Sequence, residues 1–271
     1  MTTKHILLVI GLAATTLATT SCNFSTEQKR RIVRKEAGKD DFRDSEKWGK
    51  VVTRTLTLAP FTHINLVGNA DIKFHQGDEL EVEVQGNEKA IDLNDITAKD
   101  GTLTIRPKRS DKGIVPSIKL KVTAPNLESI DISGTGDIDL KDETHLEGDL
   151  AIHISGQGDI EVEHMKCRRL TIQLSGSGDI TAQKIKCKKA DISISGPGDM
   201  KADVKANDIH VDISGSGNAD LDVKCKNLTV TAGGTGEIEL KGECSHLTKQ
   251  LGSMGSIDSR KLTIHEGISI Q

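Results

Sequence analysis

The stretch Asp131-Ile132-Ser133-Gly134-Thr135-Gly136-Asp137-Ile138 returns, with small changes, down the second half of the chain. It recurs over 154–160, 174–180, 194–200, 213–219 and, more weakly, 232–238. The first glycines stand at Gly134, Gly156, Gly176, Gly196, Gly215 and Gly234, in steps of 22, 20, 20, 19 and 19 residues. A drifting period of this length predicts a solenoid, in which each unit buries its apolar face only by stacking on its neighbours. Parity within the repeat gives the orientation. Ile132, Gly134, Gly136, Ile138 and Leu140 share one face, and Ser133, Thr135, Asp137 and Asp139 share the other. The aliphatic face must be interior. The paired glycines (Gly134 and Gly136, Gly156 and Gly158, Gly176 and Gly178, Gly196 and Gly198, Gly215 and Gly217) are therefore expected to point inward. Alternatively they sit at a corner where a side chain does not fit or a positive φ is needed.

Upstream, Val51–Leu58, Leu80–Val84 and Leu103–Ile105 alternate apolar and polar residues, the period of half-buried strands. Gly77-Asp78, Gly86-Asn87 and Asp100-Gly101 read as turns between them, and Val67–Ile72 as a degenerate early copy of the repeat. Residues Lys108 to Pro116 read as a loop, and no long helix is evident. The expected fold is all-β: a right-handed parallel β-helix with coils of about twenty residues over 126–271, preceded over 51–125 by an irregular β region of the same body.

The N-terminus reads as a targeting segment. Lys4 and His5 precede an apolar stretch, Ile6 to Ala18, that is too short to span a bilayer as a mature helix. It leads into Ala18-Thr19-Thr20-Ser21-Cys22, small residues before a cysteine, which resembles a bacterial lipoprotein cleavage site with Thr19 where a large aliphatic residue is usual. Residues 1–21 are thus expected to be a lipoprotein signal peptide and Cys22 the acylated residue, holding the protein to a membrane. A plain secretory signal with an incidental cysteine is the other reading. Residues 22–50, charged and poor in aliphatics, read as a flexible tether. The expected location is the cell envelope, as an outer-membrane lipoprotein facing the periplasm or the surface.

Aligning the repeats produces columns. Met165, Ile185, Val204 and Val223 share an inward position, and two residues on come Cys167, Cys187, Ala206, Cys225 and Cys244. Coil spacing of about 4.8 Å lies within the Cα range of a disulfide, but parallel Cβ vectors favour buried thiols acting as small hydrophobes. Asp137, Asp159, Asp179, Asp199, Asn218 and Glu237 form an outward column, with Asp139, Glu161, Asp220 and Glu239 in the next. Stacked acids repel, which makes Asp137, Asp159, Asp179 and Asp199 candidates for calcium. The competing reading, preferred here, has Asp after Gly stabilise its turn through its own backbone. A basic edge is formed by Lys166, Lys186, Lys205 and Lys224, with Arg168, Lys188 and Lys226 two residues further on. It would suit an anionic glycan or protein, or serve only to solvate the surface.

With a net charge of −4 and 2% aromatic residues, none of them within the repeats, nucleic acid is not an expected partner. No nucleophile, histidine and acid recur at compatible columns, so neither catalysis nor a cofactor is expected. The repeated Ile-Ser-Gly-X-Gly-Asp-Ile, with Phe61–Gly68 and Asp100–Ile105, resembles the head GIN domain family of auto-transporter adhesins, often exported lipoproteins of the Bacteroidetes type. The resemblance spans nearly everything from Val51 onward and implies a β-helix-like fold and an envelope location. It brings no ligand set or catalytic residues. The chain departs from the family pattern at Asn218-Ala219, Gly233 and Gly252–Gly255, so the last coils are expected to be irregular. The function expected is a lipid-anchored envelope binding protein, with a structural or stress-related scaffold and a polysaccharide-active enzyme as alternatives. Lys261 to Ile270 is expected to leave strand edges uncapped, inviting end-to-end self-association.

Overall fold

A computed structural model of the chain describes residues 45–108, 116–252 and 254–270. The signal segment 1–21, Cys22 and most of the tether lie outside the described residues. The folded body begins earlier than residue 51: Ser45–Trp48 is a short helix, α1, in which Trp48 is buried, and the Asn87 side-chain amide donates to the Gly49 carbonyl at 2.8 Å. An indole of that size gains more from leaving water than a tether residue could.

The stack is founded on β2 (His63–Leu66) and β3 (Ala70–Gln76), joined through the Gly68 corner. Strand β1 (Val51–Leu56) precedes them. After them come β4 (Glu81–Asn87), α2 (Glu88–Asp92), β5 (Asn94–Lys99), β6 (Thr102–Pro107) and β7 (Ile118–Ala124). Gly86-Asn87 is therefore no turn; it ends a buried strand and leads into α2. Asp100 and Gly101 do turn the chain, both at positive φ, between antiparallel β5 and β6.

Strands β6 and β7 lie under the first coil, parallel to β2 and β3, although they follow it in sequence. The chain then passes over to the other side, where β8 (Ser129–Ile132) pairs with β2 and β9 (Ile138–His145) with β3. The foundation coil is thus sandwiched, and its lower side is closed by antiparallel β4 and β1. This is how the N-terminal region and the repeats become one body.

From there the coils climb in order. The first face continues through β10 (Leu150–Ile154), β12 (Arg169–Leu174), β14 (Lys189–Ile194) and β16 (Asp208–Ile213). The second continues through β11 (Ile160–Lys166), β13 (Ile180–Lys186) and β15 (Met200–Lys205). The long strands β17 (Ala219–Ala232), β18 (Glu237–Leu251) and β19 (Ser256–Ile270) each bend through both faces. All pairings above the foundation are parallel, and the aliphatic positions stay in register: Ile138 faces Ile160, Ile160 faces Ile180, Ile180 faces Met200, and Met200 faces Ala219. These residues are at most 2% exposed, so the interior is a column of aliphatic side chains with almost no rings. β19 pairs with β18 on one edge; among the described residues nothing covers the other, and Ile268 and Ile270 are 59% and 70% exposed.

The drift in period has a local cause. The register between β11 and β9 slips after Val162, and that between β13 and β15 slips after Ala182. β9 carries one residue more than β11 at this point, and β11 and β13 one more than β15, accommodated as bulges; Lys184 in β13 takes a left-handed φ of 51°. The expected irregularity of the last coils is present as two further slips between β18 and β19.

Candidate functional site

The Gly-X-Gly-Asp corner, which dominates the sequence, is structural. Its glycines neither face the core nor need positive φ. A Cβ on Gly158 would lie 2.0 Å from the Gly136 carbonyl oxygen, and one on Gly178 equally close to that of Gly158. At this corner the missing side chain would point along the stacking axis into the coil below, so only glycine lets the coils meet. Residue X binds the corners together: the Gln157 N–H donates to Gly134 and the Ser177 N–H to Gly156, at 2.9 and 3.0 Å. Pro197 cannot donate to Gly176 in this way, and at the next corner the Gly217 N–H, in place of that of Ser216, donates to Gly196.

The aspartate column is also absorbed by stacking. The Asp137 carboxylate accepts the Asp159 N–H at 2.9 Å, Asp159 accepts that of Asp179 at 2.8 Å, and Asp179 that of Asp199 at 3.0 Å. Asp199 accepts from Asn218, whose own side-chain oxygen accepts from Glu237. The expectation that each Asp serves its own turn is corrected in direction: the bond reaches the next coil. The four calcium candidates are thus occupied as acceptors, and among the described residues no group of three His, Cys, Asp or Glu is placed to hold a metal ion. The neighbouring acids are bridged by lysines. Lys141 lies 3.7 Å from Asp139 and 3.3 Å from Glu161; Lys241 lies 2.7 Å from Asp220; Lys261 lies 2.6 Å from Glu239. Burial raises the Asp139 carboxyl above its usual range against the pull of Lys141.

The cysteine column stands as aligned. Cys225 faces Cys244 in register; Cys167 and Cys244 are buried, Cys187 and Cys225 partly so, and all four are free thiols. A thiol–thiol hydrogen bond raises Cys167 and lowers Cys187, while burial pushes Cys225 up to about 12.

The basic edge is where the second face and the bulge meet. Lys166, Lys186, Lys205 and Lys224 stand opposite one another on four successive coils, above His145 and below Glu243 in the column. They line a concavity of about 260 Å³ together with Glu143, His164, Lys184 and Asp203, over a floor of Met165 and Ile185. Lys184 Nζ and His164 Nε2 lie 2.8 Å apart at the bulge. The end lysines are partnered: Lys166 is 4.0 Å from Glu143, and Lys224 pairs with Glu243. Lys186 and Lys205 have no carboxylate at ion-pair distance among the described residues. Of the flanking column, Arg168 is committed to Asp149 through two bonds of 2.7 and 3.1 Å, which hold that carboxyl below its usual range. Asn207 interrupts Lys188 and Lys226. Of the seven predicted edge residues, Lys166, Arg168 and Lys224 are thus ion-paired, while Lys186 and Lys205 at the centre of the inner row, and Lys188 and Lys226 in the flanking row, are not, among the described residues. The Lys166–Lys224 alignment was legible in the sequence; the concavity was not, because the bulge breaks strand parity.

These features define a class: a regular β-solenoid carrying ladders of repeated side chains along its length. The chain belongs to the family described as "Putative auto-transporter adhesin, head GIN domain", whose model matches residues 60–220 and 199–269. Solved structures share the fold. An adhesin-labelled protein of Bacteroides fragilis NCTC 9343 is 22% identical, with a TM-score of 0.66 over 82% of this chain and 97% of its own. Another from Parabacteroides distasonis ATCC 8503 is 20% identical, with a TM-score of 0.67 over the same shares. A third, from the same organism and titled a lipid-binding protein, is 21% identical with a TM-score of 0.59, again over 82% and 97%. No curated protein matches significantly.

Proposed function

We propose that this is a cell-envelope binding protein, anchored by acyl chains at Cys22, whose solenoid presents repeated side chains to a partner and performs no chemistry. The observation that carries the reading is the register of the outward columns. Identical groups recur at about 4.8 Å over successive coils, so weak contacts add along one rigid line. Membership of an adhesin family supports it. The described residues contain no helix long and apolar enough to cross a membrane, which is compatible with attachment through lipid. The exposed edge of β19 supports end-to-end self-association as a further property.

Two measurements test the reading. Cys22→Ala should move the protein from the membrane fraction to the soluble fraction, and unchanged fractionation would remove the anchor. Protease shaving of intact cells should digest the solenoid if the partner is external. Protection, together with recovery of resident envelope proteins in a pull-down, would favour a periplasmic scaffold instead.

A further inference from the structure

We infer that the lysine ladder Lys166–Lys186–Lys205–Lys224 is a binding site for a linear acidic polysaccharide lying along the solenoid axis, one acid group to each coil. The inference rests on the binding-protein reading above and gives that reading a ligand class.

The geometry selects a linear ligand. Four ammonium groups recur on adjacent coils, so the row advances about 4.8 Å per step and spans roughly 14 Å. One step is comparable with the advance of one pyranose ring along a glycan. A chain with a carboxylate or sulfate on each sugar can therefore keep step with the coils over three or four rings. The row is also bounded, with Glu143 at one end and Glu243 at the other.

The site is built to receive charge. The two central lysines lack an internal partner, although acids are more numerous than bases in the whole chain, 40 to 36. On the same outer face, Lys141 and Lys241 do have carboxylates within ion-pair distance. In a second hollow on that face, of about 400 Å³, the carboxylates Asp71, Glu83, Asp137 and Asp139 outnumber Lys73, Lys119 and Lys121, whereas in the ladder's concavity five lysines outnumber Glu143 and Asp203. The lysine concavity also contains no Phe, Tyr or Trp, only the imidazoles of His145 and His164. A neutral sugar would have little to stack on there, so recognition must go through acid groups. The same lack disfavours single-stranded nucleic acid, which needs rings for its bases.

The test uses the full chain on immobilised dextran sulfate and polygalacturonate, with neutral dextran and single-stranded DNA as comparators at equal ionic strength. The acidic glycans should retain the protein, neutral dextran should not, and DNA should bind more weakly. The double variant Lys186→Gln/Lys205→Gln should lose about tenfold in affinity for the acidic glycans, and its slope of log affinity against log salt should fall by about 1 to 2. The exposed pair Lys50→Gln/Lys99→Gln, with the same change in net charge, should do neither. Equal losses in the two pairs, or DNA binding as tight as the glycans, would overturn the site as a glycan reader. A protein that adheres to cell surfaces but ignores every polyanion would overturn the ladder and leave the binding-protein reading standing. Adherence to neither would remove both.

Discussion

Replacing Gly178 by alanine should break the solenoid locally. The new Cβ would sit 2.0 Å from the Gly158 oxygen and 2.9 Å from its carbonyl carbon. A relaxed carbon–oxygen contact is about 3.3 Å, so the corner must retreat by more than an ångström from the coil beneath. Three hydrogen bonds fix it there: Gly176 N–H to Ile154 and Ser177 N–H to Gly156, both 3.0 Å, and Asp179 N–H to the Asp159 carboxylate at 2.8 Å. At about 1 kcal/mol each, their loss costs about 3 kcal/mol before any disturbance of the aliphatic column. For a folded body of this size that corresponds to a melting temperature lower by roughly 6–12 °C. Circular dichroism would measure it. Hydrogen exchange should localise the added opening to the coils around Gly178, since a stacked array does not unfold as one unit. Gly148, where an added methyl would meet nothing within 4 Å and φ is not positive, is the control; Gly148→Ala should change stability by no more than about 0.5 kcal/mol. If Gly178→Ala melts with Gly148→Ala, the close-approach explanation of the repeat is wrong.

Other expectations follow from the same geometry. Asp179→Ala should destabilise by about 1–3 kcal/mol, because it leaves the Asp199 N–H without its acceptor, whereas Asp179→Asn should be nearly neutral, as Asn218 already fills the role further up the column. Chelator should leave the melting temperature unchanged, and a drop would reinstate calcium at the aspartate column. Alkylation of the native protein at pH 8, read by peptide mass, should label Cys187 ahead of Cys225, since the Cys167 thiol lowers the first and burial raises the second to about 12; equal rates would contradict the paired-thiol arrangement. The carboxyls of Glu143, Asp149 and Glu243 are held low by His145, Arg168 and Lys224. With folded values depressed, their stabilisation is complete above the ordinary carboxylate range near pH 4 and is lost as pH falls through those lowered values. Arg168→Gln should therefore flatten the acid limb of the melting curve, and an unaltered limb would exclude that contribution.

The sequence disclosed the architecture because one short motif carries it. Ile138, Ile160 and Ile180 align by counting alone, and so do the cysteines and lysines. Of the readings offered for the glycines, the corner where a side chain does not fit is the one that holds; the sequence did not choose it, since alternation separates inward from outward but is blind to the stacking axis. Nor did it disclose the donor that Asp137 accepts from, which belongs to the next coil. The placement of β6 and β7 beneath a coil that precedes them is a matter of three-dimensional order, invisible to a reading that follows the chain. Arg168 was legible as basic, but its commitment to Asp149 depends on a corner conformation that no repeat specifies. The unpaired state of Lys186 and Lys205 is legible only once both faces are folded.

The central claim is that the coils stack in register around one aliphatic column. Methyl-labelled protein tests it through nuclear Overhauser contacts. Cross-peaks should run Ile138 to Ile160, Ile160 to Ile180 and Ile180 to Met200, with none between Ile138 and Ile180. Absent peaks between neighbours, or a pattern displaced by a residue, would contradict the stack and every ladder drawn on it.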